Sequence, residues 1–263
     1  MVTNMNRVPT NRYTYKQIIR RMFSITEDVA PNEEIRSRLV SGGHITGTNM
    51  VVMVCAMLIA SVGLNTDSVA VIIGAMLISP LMGSILAMAY GTASNNADLT
   101  VKHAVGFIIQ ILISVTAATV YFFLSPVKEP TEQLLARTSP TFFDVIIATA
   151  GGIAGIVGQT RQEKVNNIVP GVAIATALMP PLCTCGYSIA NGKWTMLAGA
   201  AYLFVINMYF IYMSSCFILA LLKIPLVKEM TENERKTLRK KMVRNTVFVL
   251  LPIILVFFAM IKN

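Results

Sequence analysis

Charged residues are scarce in this sequence. Only 13% of its 263 residues are Asp, Glu, Lys or Arg, whereas 54% are hydrophobic. Because a soluble globular domain carries about 25% charged residues, this composition excludes an ordinary soluble protein. Several uncharged runs reach about 18 residues or more, the length typical of transmembrane helices. The sequence therefore predicts an all-α integral membrane protein.

The sequence also lacks the patterns of common catalytic and metal sites. It has no Gly-rich phosphate loop, nucleophile elbow or metalloprotease motif, and only two histidines, His44 and His103. Cys183 and Cys185 leave a copper(I) site open as an alternative, because soft sulfur ligands select that ion. However, methionine and cysteine are also common in apolar cores without binding a metal. We therefore predict no enzyme, no metal site and no cofactor.

Two further absences concern the cellular compartment. The four cysteines lie in or beside apolar runs, which argues against an extracellular disulfide framework. The first 45 residues are polar and basic, without the apolar core of a signal peptide. We therefore expect the first span to act as its own insertion signal.

Positive charge is distributed unevenly along the chain. The net charge of +9 could indicate nucleic-acid binding, but basic residues that flank membrane spans explain it better. With the N-terminus inside, all but four of the 22 lysines and arginines fall in inner segments. The exceptions are Lys128, Arg137, Lys193 and Lys262. This asymmetry predicts a cytoplasmic N-terminus and no nucleic-acid partner.

Residues 1–45 are predicted to form a basic cytoplasmic segment. Basic and apolar residues alternate there at the spacing of an amphipathic helix that lies on anionic lipid; packing on the rest of the protein is the alternative. The residues are Arg12, Lys16, Arg20 and Arg21 with Tyr15, Ile18, Ile19, Met22 and Phe23. Pro31 followed by Glu33 and Glu34 predicts a second short helix, which Gly42 and Gly43 end.

Seven transmembrane spans are predicted. They cover residues 48–64, 67–90, 103–124, 142–158, 166–192, 195–222 and 245–261. We divide the chain into the cytoplasmic segment (1–45), a first three-helix repeat (46–125), an outer loop with a second repeat (126–225), and a basic linker helix with the last span (226–263). Thr231 and Glu234 predict a capping box at the start of the linker helix.

The division into repeats depends on two similar apolar stretches, 65–91 and 166–192. An offset of 101 residues aligns them without a gap and places Asn65 on Asn166, Pro80 on Pro181 and Gly91 on Gly192. Because each repeat contains three spans, the second copy must be inverted in the membrane. Inverted three-plus-three repeats with interrupted helices are typical of transporters.

The prolines in these stretches predict the site. A proline inside a helix frees the carbonyl four residues earlier, so the break must face protein or a water-filled cavity. Half-helix ends and freed carbonyls can then bind a solute near the membrane midplane. Kinked helices that only pack, and amides that only join helices, are the alternatives. The predicted binding residues are Ser79, Pro80, Thr176, Pro180 and Pro181, with Asn65, Asp67, Asn166, Gln110 and Asn207.

One motif carries a family resemblance. Gly63, Leu64, Asp67 and the run from Ile73 to Gly83, followed by VPGVAIATALMPPLC, resemble the bacterial and archaeal membrane family called domain of unknown function 389. The likeness covers about residues 45 to 225. It implies a multi-span domain in the cytoplasmic (inner) membrane of a prokaryote, and no established activity.

Two functions are compatible with these patterns. The first is a transporter or channel for a small ion or polar solute, with its site between the two Pro-interrupted helices. The alternative is a membrane scaffold or sensor that docks a partner or anionic lipid through its basic cytoplasmic segments. Small-residue faces also predict a homo-oligomer, and the expected partners are the lipid bilayer and anionic lipid at its cytoplasmic face.

Overall fold

Within the described residues, every regular element is an α-helix. The computed structural model describes residues 15, 28–162, 168–229 and 231–262, without the side chains of residues 168–177, 235, 239 and 252–262. The helices are α1 (Asn32–Gly42), α2 (Gly47–Asn65), α3 (Val69–Ile78), α4 (Leu81–Ala93), α5 (Ala97–Leu124), α6 (Glu132–Leu135), α7 (Phe142–Thr160), α8 (Ile168–Ala190), α9 (Trp194–Leu221) and α10 (Glu232–Lys262). The one extended pairing in these ranges is a bridge between Val29 and Arg161.

Four of these helices, α2, α5, α7 and α9, are long and apolar enough to cross a membrane. The pair α3 and α4 gives a fifth span if the two helices are counted together. Their outward faces are apolar as well: Val101, Val105, Ile108 and Leu112 form a stripe along α5, and each is more than half exposed. Such a surface suits lipid and would be a liability in water.

The long helices match four predicted spans, the first, third, fourth and sixth, because their ends carry local signals. Thr46 accepts a hydrogen bond from the backbone N–H of Asn49 at the start of α2. Asn96 does the same for Leu99, so α5 begins at Ala97, before the predicted His103. After the C-terminal ends of α2, α4, α8 and α9 the chain turns through left-handed residues. These are Asp67, Asn95, Gly192 and Lys223.

The two proline-containing stretches differ from each other. The first is divided into α3 and α4, which meet at a bend of 48°. The second is the single helix α8, with Pro180 and Pro181 inside it. The predicted interruption at Pro180 and Pro181 is therefore wrong. Residues 178–188 are all buried, and α3, α5, α7 and α9 pack around α8, so tertiary contacts hold the backbone helical where two N–H donors are missing.

Small residues set the closest helix contacts. A Cβ atom on Gly152 of α7 would lie 2.7 Å from the carbonyl oxygen of Ile211 in α9, and one on Gly186 of α8 would lie 2.8 Å from the backbone nitrogen of Thr119 in α5. Gly151 and Gly155 are buried on the same helix as Gly152. These buried glycines let helix backbones approach closely, as in helices that pack in lipid.

Helices α5 and α9 run antiparallel. At one end, the hydroxyl of Tyr187 donates to the carbonyl of Lys128, just after α5, and accepts from Nζ of Lys193, just before α9. At the other end, the N–H of Val227, after α9, donates to the carbonyl of Ser94, just before α5. The end of each helix therefore lies beside the start of the other.

The terminal segments were predicted only in part. The short helix after Pro31 is found as α1, and it packs on α4 and α7. The capping box of Thr231 and Glu234 is present. The linker helix and the last span, predicted as separate, form the single helix α10. The predicted amphipathic helix around residues 12–23 lies outside the described residues, apart from Tyr15, which is exposed.

Candidate functional site

The break between α3 and α4 is a consequence of Pro80. Pro80 has no N–H to donate to the carbonyl of Met76, and a residue that precedes proline is driven out of the helical region. Ser79 is extended accordingly, with ψ 127°, while its own N–H donates to the Met76 carbonyl over 3.3 Å. The Oγ of Ser79 is buried and has no hydrogen-bond partner among the described residues. The break therefore leaves an unsatisfied hydroxyl beside a helix end.

A cavity of about 180 Å³ lies next to this break, and we call it the Arg38 cavity. It is lined by Arg38, Leu39, Gly42, Ser79, Pro80, Met82, Gly83, Leu86 and Gln159. Nη1 of Arg38 donates to the carbonyl of Arg161 over 2.6 Å and to that of Gln159 over 3.3 Å. Its Nη2 forms an ion pair with Glu34. Arg38 thus ties α1 to the C-terminal end of α7.

A second cavity, of about 210 Å³, lies at the opposite end of α7, and we call it the Arg137 cavity. Its polar lining comes from Gln133, Arg137, Asp144 and Asn207, and its apolar lining from Val69, Ile72, Ile73, Met76, Ile147, Pro181 and Leu203. Burial lowers the pKa of Arg137 from its ordinary value, and the Asp144 carboxylate partly offsets the shift. A guanidinium stays protonated even so, so this cavity holds a half-buried positive charge.

The two cavities approach each other at the break. Asp144 and Gln159, at the two ends of α7, are separated by about 22 Å at 1.5 Å per residue. Along α3, however, Met76 lines the Arg137 cavity and Ser79 lines the Arg38 cavity. These residues are three positions apart in the chain, so the two cavities are lined by neighbouring residues at the end of α3.

Asn65 and Asp67 line neither cavity and instead fix the segment that follows α5. Nδ2 of Asn65 donates to Oγ of Ser125 over 2.7 Å. Asp67 adopts a positive φ of 54° where α2 ends, and its Oδ1 accepts from the N–H of Gln133 over 3.0 Å. Oδ1 of Asn65 is buried without a hydrogen-bond partner among the described residues, and neither residue is among those that line the two cavities.

The remaining predicted residues are divided between the cavities and the core. Ser79 and Pro80 line the Arg38 cavity, whereas Pro181 and Asn207 line the Arg137 cavity. Gln110 lies in the core, where its Oε1 accepts from Oγ of Ser84 over 2.9 Å. The carbonyl of Pro180 accepts from the hydroxyl of Thr184 over 2.9 Å. Asn166 and the side chain of Thr176 lie outside the described part of the structure.

The cysteine pair has the geometry of helix packing. Cys183 and Cys185 are two residues apart on α8, so they point in nearly opposite directions. Sγ of Cys183 lies 4.0 Å from Sδ of Met57 on α2. Among the described residues no group of three or more His, Cys, Asp or Glu side chains could hold a metal ion.

Sequence reasoning missed the charged residues of both cavities. Arg38 belongs to the predicted cytoplasmic helix, and Arg137 was assigned to a polar loop. Asp144 lies in the first turn of α7, where it forms a capping box with Thr141. A weak signal was available, since Arg137 is one of only four basic residues expected on the outer side and the short α6 carries Gln133 beside it. The approach of this loop to α7 and α9 depends on the fold and is not visible in the sequence.

The fold and its cavities define the class: a helical protein with several membrane-compatible helices and two polar cavities beside an interrupted helix pair. The chain belongs to the family described as "Domain of unknown function (DUF389)", whose model matches residues 76–213, just over half of the chain. This confirms the resemblance. The chain is 28% identical over 183 residues to the uncharacterised protein MJ0678 of Methanocaldococcus jannaschii. That alignment covers 70% of this chain and 57% of the relative, and no solved structure matches.

Proposed function

We propose that the protein is a multi-pass transporter or channel of the prokaryotic cytoplasmic membrane that moves a small polar solute or ion through the α3–α4 break. The observation that carries this proposal is that two cavities with charged lining residues, at opposite ends of α7, are lined by neighbouring residues at the end of α3, Met76 and Ser79. A small displacement of the broken helix pair α3–α4 would connect the two cavities. Interrupted helices beside a substrate site are the usual arrangement in secondary transporters.

An inverted repeat is part of the proposal, with α2 to α5 as one copy and α7 to α9 as the other. Helices α5 and α9 have the same length, 28 residues, and so do α2 and α7, 19 residues. Because α5 and α9 are antiparallel, the copies would be related by a twofold axis in the membrane plane.

Contacts between equivalent residues support this symmetry. An offset of 97 residues relates α5 to α9 and places Phe107 on Phe204, whose rings stack with centroids 6.1 Å apart. A residue that touches its own equivalent is expected near a twofold axis. Thr119 contacts Gly186. The same offset makes Cys216 the equivalent of Thr119 and Gly186 the equivalent of Ala89, and Sγ of Cys216 lies 3.7 Å from the carbonyl of Ala89.

The contacts favour an offset of 97 over the 101 used to align the sequences. The gapless alignment matched Pro80 to Pro181, whereas the offset of 97 pairs Ser84 with Pro181 and Gln110 with Asn207. The equivalent positions then differ between the two copies: Asn207 and Pro181 line the Arg137 cavity, while Ser84 and Gln110 are bonded to each other in the core.

The lipid and assembly predictions are part of the same proposal. The basic segments before α2 and at the start of α10 would lie against anionic lipid at the cytoplasmic face. Self-association through the remaining lipid-exposed faces stays a prediction. The Arg137 cavity would face outward, and the Arg38 cavity, which α1 lines on one side, would face the cytoplasm.

Osmotic reswelling of proteoliposomes tests transport. Vesicles with the full chain should reswell faster than empty vesicles in at least one member of a panel of small neutral, zwitterionic, anionic and cationic solutes. A Met76→Trp substitution should slow this reswelling by about fivefold or more, because the bulky ring would narrow the proposed path at the end of α3, and conduction depends on pore width.

Leu77→Trp is the matched control, since Leu77 follows Met76 but is 45% exposed on the outer surface of α3. It should leave the rate unchanged. If no solute enters faster than into empty vesicles, or if both tryptophan variants act alike, the transport proposal fails. Co-purification of a partner through residues 1–45 without any flux would then favour the scaffold alternative.

A further inference from the structure

We propose that the Arg137 cavity is a binding site for a small zwitterion of the amino-acid type, with its carboxylate on Arg137 and its ammonium group on Asp144. This inference deepens the proposed function, because the site would be the external substrate site of the transporter. It also stands as a binding site on its own geometry, which allows the two ideas to be tested separately.

The guanidinium of Arg137 is available to bind an anion. Nε of Arg137 is buried and lacks a hydrogen-bond partner among the described residues. No ion pair within 4.0 Å joins Arg137 to an acid in that part of the chain. A buried donor without a partner is costly, and the planar guanidinium of Arg137, which lines the cavity, can bind both oxygens of a carboxylate. The cavity therefore contains an anion-binding group that the protein leaves unfilled.

Asp144 supplies a negative charge in the same cavity. Oδ2 of Asp144 accepts two hydrogen bonds of 2.7 Å, from the N–H and the hydroxyl of Thr141. Among the described residues nothing bonds to Oδ1, so it can accept from a ligand. Asp144 is near enough to raise the pKa of Arg137 but does not reach it directly. A simple anion would be repelled by Asp144, whereas a solute with both charges satisfies both walls.

The volume and the remaining lining of the Arg137 cavity suit a small ligand. A volume of about 210 Å³ corresponds to about seven waters at roughly 30 Å³ each, which limits the ligand to a small solute. The amides of Gln133 and Asn207 offer further polar contacts, and Ile72, Ile147 and Leu203 provide an apolar wall. Small amino acids combine these features, because an ammonium group, a carboxylate and a short side chain are attached to one carbon.

Isothermal titration of the full chain in lipid nanodiscs tests the proposal with three probes: L-alanine, propionate, which lacks the ammonium group, and ethylammonium, which lacks the carboxylate. L-Alanine should bind most tightly. An Arg137→Gln variant should lose about tenfold or more in affinity for L-alanine, the effect of a missing charge-assisted pair. Asp144→Asn should weaken L-alanine and strengthen propionate, because it removes the negative wall but can keep the cap.

Lys128→Gln is the control for loss of a positive charge in the same segment, because Nζ of Lys128 bonds to the carbonyls of Phe122 and Phe123 outside the cavity. It should bind L-alanine like the parent. Arg137→Lys, which keeps the charge but not the fork, should lose part of the affinity and guards against a folding defect in Arg137→Gln.

Two results would overturn the site. One is equal affinity for propionate and L-alanine, which would identify a plain anion site. The other is no heat with any probe, which would identify Arg137 and Asp144 as a structural pair. Binding without reswelling would refute transport and keep the site, whereas reswelling by other solutes without L-alanine binding would refute the site and keep transport.

Discussion

At the scale of single residues, glycines show where helices touch through their backbones. Gly152 of α7 is in contact with Ile211 and Ser214 of α9, and its carbonyl accepts a hydrogen bond from Ser215 over 3.3 Å. Among the described residues, Gly74 of α3 has no neighbour within 4 Å of the position a Cβ would take. Substitution of Gly152 therefore tests helix packing, whereas substitution of Gly74 tests helix propensity alone.

Gly152→Ala should destabilise the protein by about 1–3 kcal/mol, because the added methyl group would overlap the Ile211 carbonyl and force α7 from α9. Gly74→Ala should be neutral or stabilising, since alanine favours a helix by roughly 1 kcal/mol over glycine. Thermal unfolding in detergent measures both. Equal melting temperatures for the two variants would contradict the close approach of α7 and α9.

The two prolines that resemble each other in the sequence behave differently in the fold. The division at Pro80 follows from local chemistry, since proline removes a donor and excludes the helical conformation from Ser79. At Pro180 and Pro181 the same chemistry is overridden by burial on all sides. Helix positions were predictable because they depend on long apolar runs, whereas the Arg137 cavity was not, because Arg137, Asp144 and Asn207 are brought together only by tertiary packing.

At the scale of elements, α1 lines the Arg38 cavity and meets α4 through a contact between two backbones. A Cβ atom on Gly83 would lie within bonding range of the carbonyl oxygen of Gly42, so no other residue fits without moving α1. The carbonyl of Gly43 accepts from Nδ1 of His103 over 3.0 Å and fixes the end of the helix to α5. Helix α1 is thus held by α4, α5 and α7 over the break.

Gly83→Ala should release α1 from α4 and open the Arg38 cavity. Backbone amides of residues 32–42 should then exchange hydrogen faster, since the contacts that protect them are lost. Gly47→Ala is the control, because Gly47 lies beside α1 in the sequence but has open space around it. Unchanged exchange in α1, with the parent melting temperature, would show that α1 is not held by this contact.

At the scale of the whole molecule, charge and helix direction together give a topology. The antiparallel α5 and α9 place the segment after α5 at one end of the helices and the segment after α9 at the other. The basic residues of the start of α10 lie with the second group, on the side expected to be cytoplasmic. The two glutamates Glu129 and Glu229 are exposed in these segments and provide matched positions for labelling.

In intact cells, Glu129→Cys should react with a membrane-impermeant maleimide, and Glu229→Cys should react only after the membrane is permeabilised. A Cys55→Ser background removes the exposed cysteine, and the other three are buried. The inverse labelling pattern would reverse the orientation that the positive-inside rule gives. Labelling of both positions from one side would contradict more than the orientation. Helices that run antiparallel through a bilayer must expose these segments on opposite faces. The inverted repeat, and the access path from the Arg137 cavity to the Arg38 cavity, would then both be refuted.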